Sequence, residues 1–411
     1  MKALDDAWIS RLQKAAGVAP YPYFVLGPSP VELRMLFDVF EDSGYRSNPV
    51  LKPDKQGLLD SHIEDSVRHL QELQADISLR EKNIIVRDLY IERIDELLAS
   101  LEMITAADSG DIGKFRELNA RVYGAPNPGI FHAAKAALDT DDNTIFAPDE
   151  AAYQHVWDAH NGIGGYFEQL FEGVDIPADG PIDQYIGDEL LRALLRNLEA
   201  TDYTIVDAPD LYWGVNHTDK QLIRPKWYSM TRPEFLGIVG HEIGSHLLEL
   251  LRGSKSRLAL LGFGLAGYEQ YNEGRALIRE QVAYPDWKSF AATDRWHEIL
   301  CRHVSIGLAA GMNGKPWTFS EIYSYMLDKY ARRLPYEEQA HRPTWRLLTR
   351  CLSGTDGQGG AYYKDIVYLE GNLRCWQLAK QDPDIIMLGD SGKYNHANLD
   401  QVERLHKLEV L

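Results

Sequence analysis

Along most of the chain, apolar residues recur three and four positions apart, the period of helices with one buried face. Helices are predicted over about residues 5–16, over VELRMLFDVFEDSG, and in two pieces from Leu58 to about Ala107 with a break near Lys82-Asn83. Another runs over Ile112–Tyr123 and stops at Gly124-Ala-Pro-Asn-Pro-Gly129, where two prolines and two glycines punctuate the chain. Further helices are expected over Gly129–Leu138, Pro148–Phe171 and Pro181–Glu199, then over about 292–310, Ser320–Arg333, Tyr336–Leu352 and Tyr362–Gln381. The pattern changes at Thr201. TDYTIVDA and LYWGVNHTDKQLIRPKW are rich in Tyr, Ile, Val and Trp, and they read as strands, with a turn at Asn216 to Asp219 between Tyr212–Val215 and Gln221–Ile223.

Thr231 to Gly253, TRPEFLGIVGHEIGSHLLELLRG, reads as one helix with both ends marked. Thr231 and Glu234 have capping-box spacing, Pro233 falls in the first turn, and Gly253 is expected to supply a left-handed stop. Within it, His241-Glu242-Ile243-Gly244-Ser245-His246 is read as an HExxH zinc signature. The premise of that reading is that residues four apart on a helix lie one above the other, so both imidazoles reach one ion. Glu242 would then address a water in the ion's open position. The surrounding residues (Phe235, Leu236, Ile238, Val239, Ile243, Leu247, Leu248, Leu251) are apolar, and a carboxylate between two imidazoles is costly there without a cation.

Two imidazoles need a third protein ligand. Downstream, Glu269 and Glu273 are one helical turn apart, with Glu280 two turns beyond Glu273, and an antiparallel return could bring such a carboxylate back to the motif. The glycines of Gly262-Phe-Gly264-Leu-Ala-Gly267 match GxGxxG. No second parallel strand follows, however, and Glu269 and Glu273 would repel a pyrophosphate, so these glycines are read as allowing close approach to the motif helix. His297 and His303, and likewise His155 and His160, do not have the spacing of the signature and are read as structural.

Composition narrows the function classes. With 61 acidic against 43 basic residues, the net charge of −18 argues against nucleic-acid binding. No run approaches the roughly 20 apolar residues that span a bilayer, and the N-terminal stretch has no apolar signal region. Cys301, Cys351 and Cys375 are too few and too scattered for a disulfide framework, so the expectation is a cytoplasmic protein with buried thiols.

Four segments, in order over about residues 85 to 380, resemble one family. GLAGYEQYNEGRA is similar to the GLAGYEE-x-QEGLA stretch of bacterial QEGLA-motif proteins, whose relatives are the microtubule-associated tyrosine carboxypeptidases that remove the C-terminal tyrosine of α-tubulin. HEIGSHLL, DLYIERIDELLASLEMI with FRELNARVYG, and GAYYKDIVYLEG resemble its other motifs. The resemblance implies an α+β, mostly helical, gluzincin-like zincin domain with a small sheet beside the motif helix. It implies one zinc on His241, His246 and Glu273, with Glu242 as catalytic glutamate. Residues 1–60 would then be an accessory segment before a metallopeptidase domain over 61–411, comprising a helical leading region (61–200) and a catalytic core (201–380). Tyr363, Lys364 and Tyr368 are the candidates for an oxyanion donor, and Lys364 and Tyr368 are carried forward as catalytic. Arg224, Lys226, Arg275 and Lys364 are the cations available to a substrate carboxylate. One departure stands out: Arg275 replaces the Leu of QEGLA. The expected activity is release of a C-terminal, tyrosine-like residue from a peptide or protein tail. A zinc endopeptidase or aminopeptidase, and a non-catalytic metal-stabilised peptide binder, are the alternatives.

Overall fold

The computed structural model describes residues 3–17, 25–53, 60–142, 144–163, 165–208 and 213–411. Helices dominate, and their ends carry the residues that the polar pattern picks out. Asn83 caps the helix Ile84–Ser109 by accepting from the Ile85 and Val86 N–H groups at 3.1 and 3.3 Å, and Gly110 closes it at φ 77°. Asp111 does the same for Ile112–Tyr123 by accepting from Lys114 N–H. The long helix expected over Pro148–Phe171 is two helices, Glu150–Asn161 and Tyr166–Leu170, because the chain turns tightly at Gly162 and Gly165. A Cβ at Gly165 would lie 2.7 Å from the Gly162 carbonyl oxygen.

The backbone clusters into two compact units. One comprises residues 1–5, 146–291 and 371–411; the other comprises 6–145 and 292–370. In the second unit the helix Pro30–Asp42 buries Phe37 and Phe40 against Phe319, Tyr323 and Trp345, with ring centroids 4.7–5.4 Å apart. Cys301 and Cys351 of that unit, and Cys375 of the first, are free and buried thiols.

The first unit holds the strands: β1 (Ile182–Asp183), β2 (Thr204–Ala208), β3 (Gly214–Asn216), β4 (Gln221–Pro225) and β5 (Ser229–Met230). β4 is central, parallel to β2 from Thr204↔Gln221 to Ala208↔Pro225 and antiparallel to β3 from Gly214↔Ile223 to Asn216↔Gln221. The hairpin is therefore as the sequence predicts, although Tyr212 lies outside the described residues. The helix predicted from Pro181 starts later, at Gln184; Ile182–Asp183 pair instead with Met230–Ser229, and the Asp183 side chain caps the helix Gln184–Asn197. Leu190, Leu191, Leu194 and Leu195 of that helix pack with Leu222 of β4 and with Phe235, Leu236, Val239, Ile243 and Leu247 to form the core of the unit.

The segment after β5 departs from a single α-helix. Its start is as expected, with Thr231 and Glu234 forming a reciprocal capping box and Pro233 in the first turn of Arg232–His241. Glu242–Leu247 is a π-helical turn, and α-helix resumes over Leu248–Lys255. Gly253 is not the stop: it lies inside the last helix, where a Cβ would come within 2.5 Å of the Leu261–Gly262 backbone. Its role is close approach, which is also the role read for the glycines of the GxGxxG match. Among the described residues no helix is long and apolar enough to cross a membrane.

Candidate metal centre

His246 follows His241 by five positions, not four, so the motif is HExxxH and the HExxH premise needs correcting. On an α-helix at 3.6 residues per turn, five residues advance the chain by roughly 140° beyond a full turn, which would splay the two imidazoles onto different faces. The π-helical turn removes that difference. Its i→i+5 pattern gives each turn one more residue, so five positions bring the chain back to about the same face. The ring centroids of His241 and His246 are 4.9 Å apart.

The third member comes from the helix Tyr268–Val282, which packs against both Arg232–His241 and the π-helical turn. Glu273 Oε2 stands 3.4 Å from His241 Nε2 and 3.5 Å from His246 Nε2. Ligands held tetrahedrally at about 2.0–2.2 Å are separated by roughly 3.3–3.6 Å, so the spacing of Glu273 Oε2 from each imidazole nitrogen matches that between two ligands of one zinc ion. Among the described residues, His241, His246 and Glu273 are the group of three whose ligand atoms converge in this way. The donor chemistry fits as well, with two imidazoles and one carboxylate leaving a fourth position open. Glu269, on the same helix, does not join the group.

Glu242 lies beside the cluster, with Oε1 4.0 Å from His241 Nε2. Burial raises its pKa, and the neighbouring imidazoles work against that rise. On its other side, His241 Nδ1 lies 2.6 Å from Glu280 Oε1. Glu273 and Glu280 are two turns apart on one helix face. One therefore faces the Nε2 atoms while the other holds the back of the His241 ring and turns its Nε2 toward the cluster. Burial disfavours a charged His241, but Glu280, Glu273 and Glu242 outweigh it and hold its pKa up at about 10. Three carboxylates around two imidazoles make a site that favours a cation. The β3 strand, at the edge of the sheet order β2-β4-β3, runs beside the π-helical turn.

The cations considered for a substrate carboxylate differ in their surroundings. Arg224 is buried, paired through Nε and Nη2 with Asp188 at 2.8 Å each and bonded to Asp207. Arg275 is fully buried and paired with Glu249 and Asp390, so two carboxylates neutralise the guanidinium that follows Glu273 by two positions. Lys226 is exposed, with Nζ 5.9 Å from the Trp227 ring. Lys364 and Tyr368 belong to the second unit, where Lys364 Nζ lies over the Tyr123 ring and Arg295 and Arg302 lie over the Tyr368 ring. The histidines set aside in the sequence are packed or exposed singly. His160 is buried with Nδ1 2.7 Å from Val156 O, His297 lies beside Cys301, His303 is 3.8 Å from Glu370, and His155 is at the surface near Asp384.

Three participants escaped the sequence reading. The spacing that aligns Glu280 with Glu273 was visible, but nothing in the sequence distinguished ligand from support. His217, just past β3, has its pKa lowered well below the usual histidine range by burial, with smaller contributions from the charges of Lys393 and His246. Arg279 reaches into the motif turn and donates to the Gly244 carbonyl and to Ser245 Oγ.

No curated protein and no solved structure matches the chain. A family model does, over residues 193–411, more than half of the chain and the part that contains His241, Glu242, His246, Glu273 and Glu280; the chain belongs to the microtubule-associated tyrosine carboxypeptidase family.

Proposed function

We propose that this protein is a zinc-dependent carboxypeptidase that releases one C-terminal residue, aromatic by preference, from a peptide or protein tail. The observation that carries the metal assignment is that Glu273 Oε2 stands 3.4 and 3.5 Å from the Nε2 atoms of His241 and His246, with Glu242 alongside. Family membership supports the choice of a C-terminal bond and of tyrosine, and it raises a tubulin-like tail as a substrate. A bound zinc would supply Lewis acidity to a carbonyl and make water a stronger acid.

The chain's own groups do the rest. Glu242 accepts a proton from the attacking water and passes it to the departing amine, the work of a general base and then a general acid. Glu280 keeps the His241 ring oriented through Nδ1. The edge strand β3 offers backbone groups to an extended peptide laid beside the motif turn, the arrangement by which strands add to a sheet edge.

The test is to incubate the purified protein with peptides ending in tyrosine, with free or amidated C-termini, and to read the products by mass. The expected result is loss of a single residue from free C-termini only, abolished by a chelator and restored by zinc. Internal cuts that ignore the terminus would replace this reading with an endopeptidase.

A further inference from the structure

The π-helical turn has a consequence for hydrogen bonding. A π-helical turn that returns to α-helix skips one carbonyl, because the register of donors shifts by one residue. Leu248 N–H is directed to Ile243 O, five residues back, and to Ser245 O. The carbonyl between these two acceptors is that of Gly244, and it is satisfied from outside the helix. Tyr166 Oη donates to Gly244 O at 2.6 Å, and Arg279 Nη1 donates to the same oxygen. Arg279 Nη1 also donates to Ser245 Oγ at 3.1 Å, while Ser245 Oγ donates to Gly240 O at 3.0 Å, five residues back.

The two donors are themselves fixed. The Arg279 guanidinium lies 4.2 Å from the Tyr166 ring centroid, and its Nη2 is 2.6 Å from Asp390 Oδ1. Arg279 is wholly buried and Tyr166 is 6 % exposed, so neither donor exchanges its partner for bulk water at low cost. Gly244 is the residue that lets Tyr166 come this close, since a Cβ there would lie 2.3 Å from the hydroxyl.

We propose that Tyr166 and Arg279 are positioning residues for the metal ligands: by bonding the Gly244 carbonyl they hold Glu242–Leu247 in the π register that brings His241 and His246, five residues apart, to one face. Without them an α register competes, and that register turns the two imidazoles apart. Neither residue touches the three ligand atoms. Their effect passes through the backbone between the histidines. The inference rests on the zinc reading above but makes a separate claim about how the site is held.

The experiment compares Tyr166→Phe and Arg279→Lys with the full-length parent protein. Zinc affinity is measured by chelator competition, and the cobalt-substituted proteins are compared by their visible absorption. Each variant is expected to bind zinc about 10–100-fold more weakly and to show an altered cobalt band, the scale seen when an outer partner of a metal ligand is lost. Leu191→Ala, which opens a cavity in the same core without removing a hydrogen bond to the motif turn, serves as the control for general destabilisation and should leave zinc affinity within about twofold. Wild-type affinity and cobalt spectra in both positioning variants would overturn the proposal, as would an equal loss in Leu191→Ala. Hydrogen exchange at the Ile243–Leu247 amides, read without added metal, is expected to be faster in both variants. If the parent protein binds no zinc, the function reading fails while this exchange measurement still decides the positioning claim; unchanged exchange would end it.

Discussion

Replacing Gly244 by alanine sets two well-calibrated effects against each other. In an ordinary helix interior the change is stabilising by about 1 kcal/mol, because glycine carries the larger backbone entropy in the unfolded chain. Here the new Cβ would lie 2.3 Å from Tyr166 Oη and 3.2 Å from its Cε1 and Cζ atoms, so the phenol must move by roughly 1 Å to restore contact distance. It has no free space to move into: the ring is packed under Arg279 and its hydroxyl is bonded to Gly244 O. Overpacking of this kind costs about 1–3 kcal/mol, and losing the hydroxyl's bond adds about 1 kcal/mol. The net expectation is destabilisation by roughly 1–3 kcal/mol. In the Tyr166→Phe background the clashing oxygen is gone and the remaining contacts are tight by only a few tenths of an ångström. Gly244→Ala should then be close to neutral, which makes the coupling energy about 1–3 kcal/mol. Urea unfolding of the four proteins, with the m-value checked for constancy, measures it. Stabilisation by about 1 kcal/mol in both backgrounds would show that propensity alone governs the position, and the packing argument would be wrong.

Other outcomes follow from the same geometry. Glu280→Gln should weaken zinc binding by about 10–100-fold while Glu242→Gln leaves it within a fewfold, since the first residue holds a ligand ring and the second does not belong to the converging triad; equal losses would contradict these roles. Glu242→Gln should cut peptide hydrolysis by at least about 10²–10⁴-fold at full metal occupancy, and turnover at the parent rate would remove Glu242 as the base. In the second unit, burial raises the Glu370 pKa from 4.5 to about 7, against the pull of the Asn127 N–H that it accepts. Between those values the native state holds a proton that the unfolded chain has lost, so stability falls as pH rises through this window, by roughly 3 kcal/mol at most. Unfolding midpoints at pH 5 and pH 8 should differ in that direction, and Glu370→Gln should flatten the difference.

Much of this was legible in the sequence, and the failures have identifiable causes. The helix start at Thr231 was visible because its capping box is local and chemically distinct, and the break near Asn83 and the start at Ile112 showed in the apolar period. The β3–β4 hairpin announced itself by its turn and aromatic content. His241, His246 and Glu273 do converge, but the period read for the helix carrying the two histidines is wrong. A π-helical turn has no composition of its own. It depends here on a tyrosine and an arginine supplied by two other helices, and no local pattern reports such donors. Gly253 failed for a related reason, because a glycine that admits another backbone looks the same in sequence as one that ends a helix. The anchoring role considered for Arg224 and Arg275 could not be judged until their acidic partners, distant in sequence, were in view.

The unit that brings His241, His246 and Glu273 together also constrains the order in which the chain can finish folding. Leu4 N–H donates to Arg257 O at 2.7 Å, and the Asp5 carboxylate accepts from the Ala259 and Leu260 N–H groups, so Leu4 and Asp5 are fastened to a segment made far later. Asp390, which steadies Arg279 behind the HExxxH turn, arrives later still. During synthesis the histidines therefore emerge well before the carboxylate that completes their support, and a ribosome stalled before residue 390 would display the motif without its brace. Neither unit can be excised by a single cut, since each is built from separated stretches of chain. A shortened protein made to study the histidine–glutamate cluster in isolation would have to splice three segments together, residues 371–411 among them.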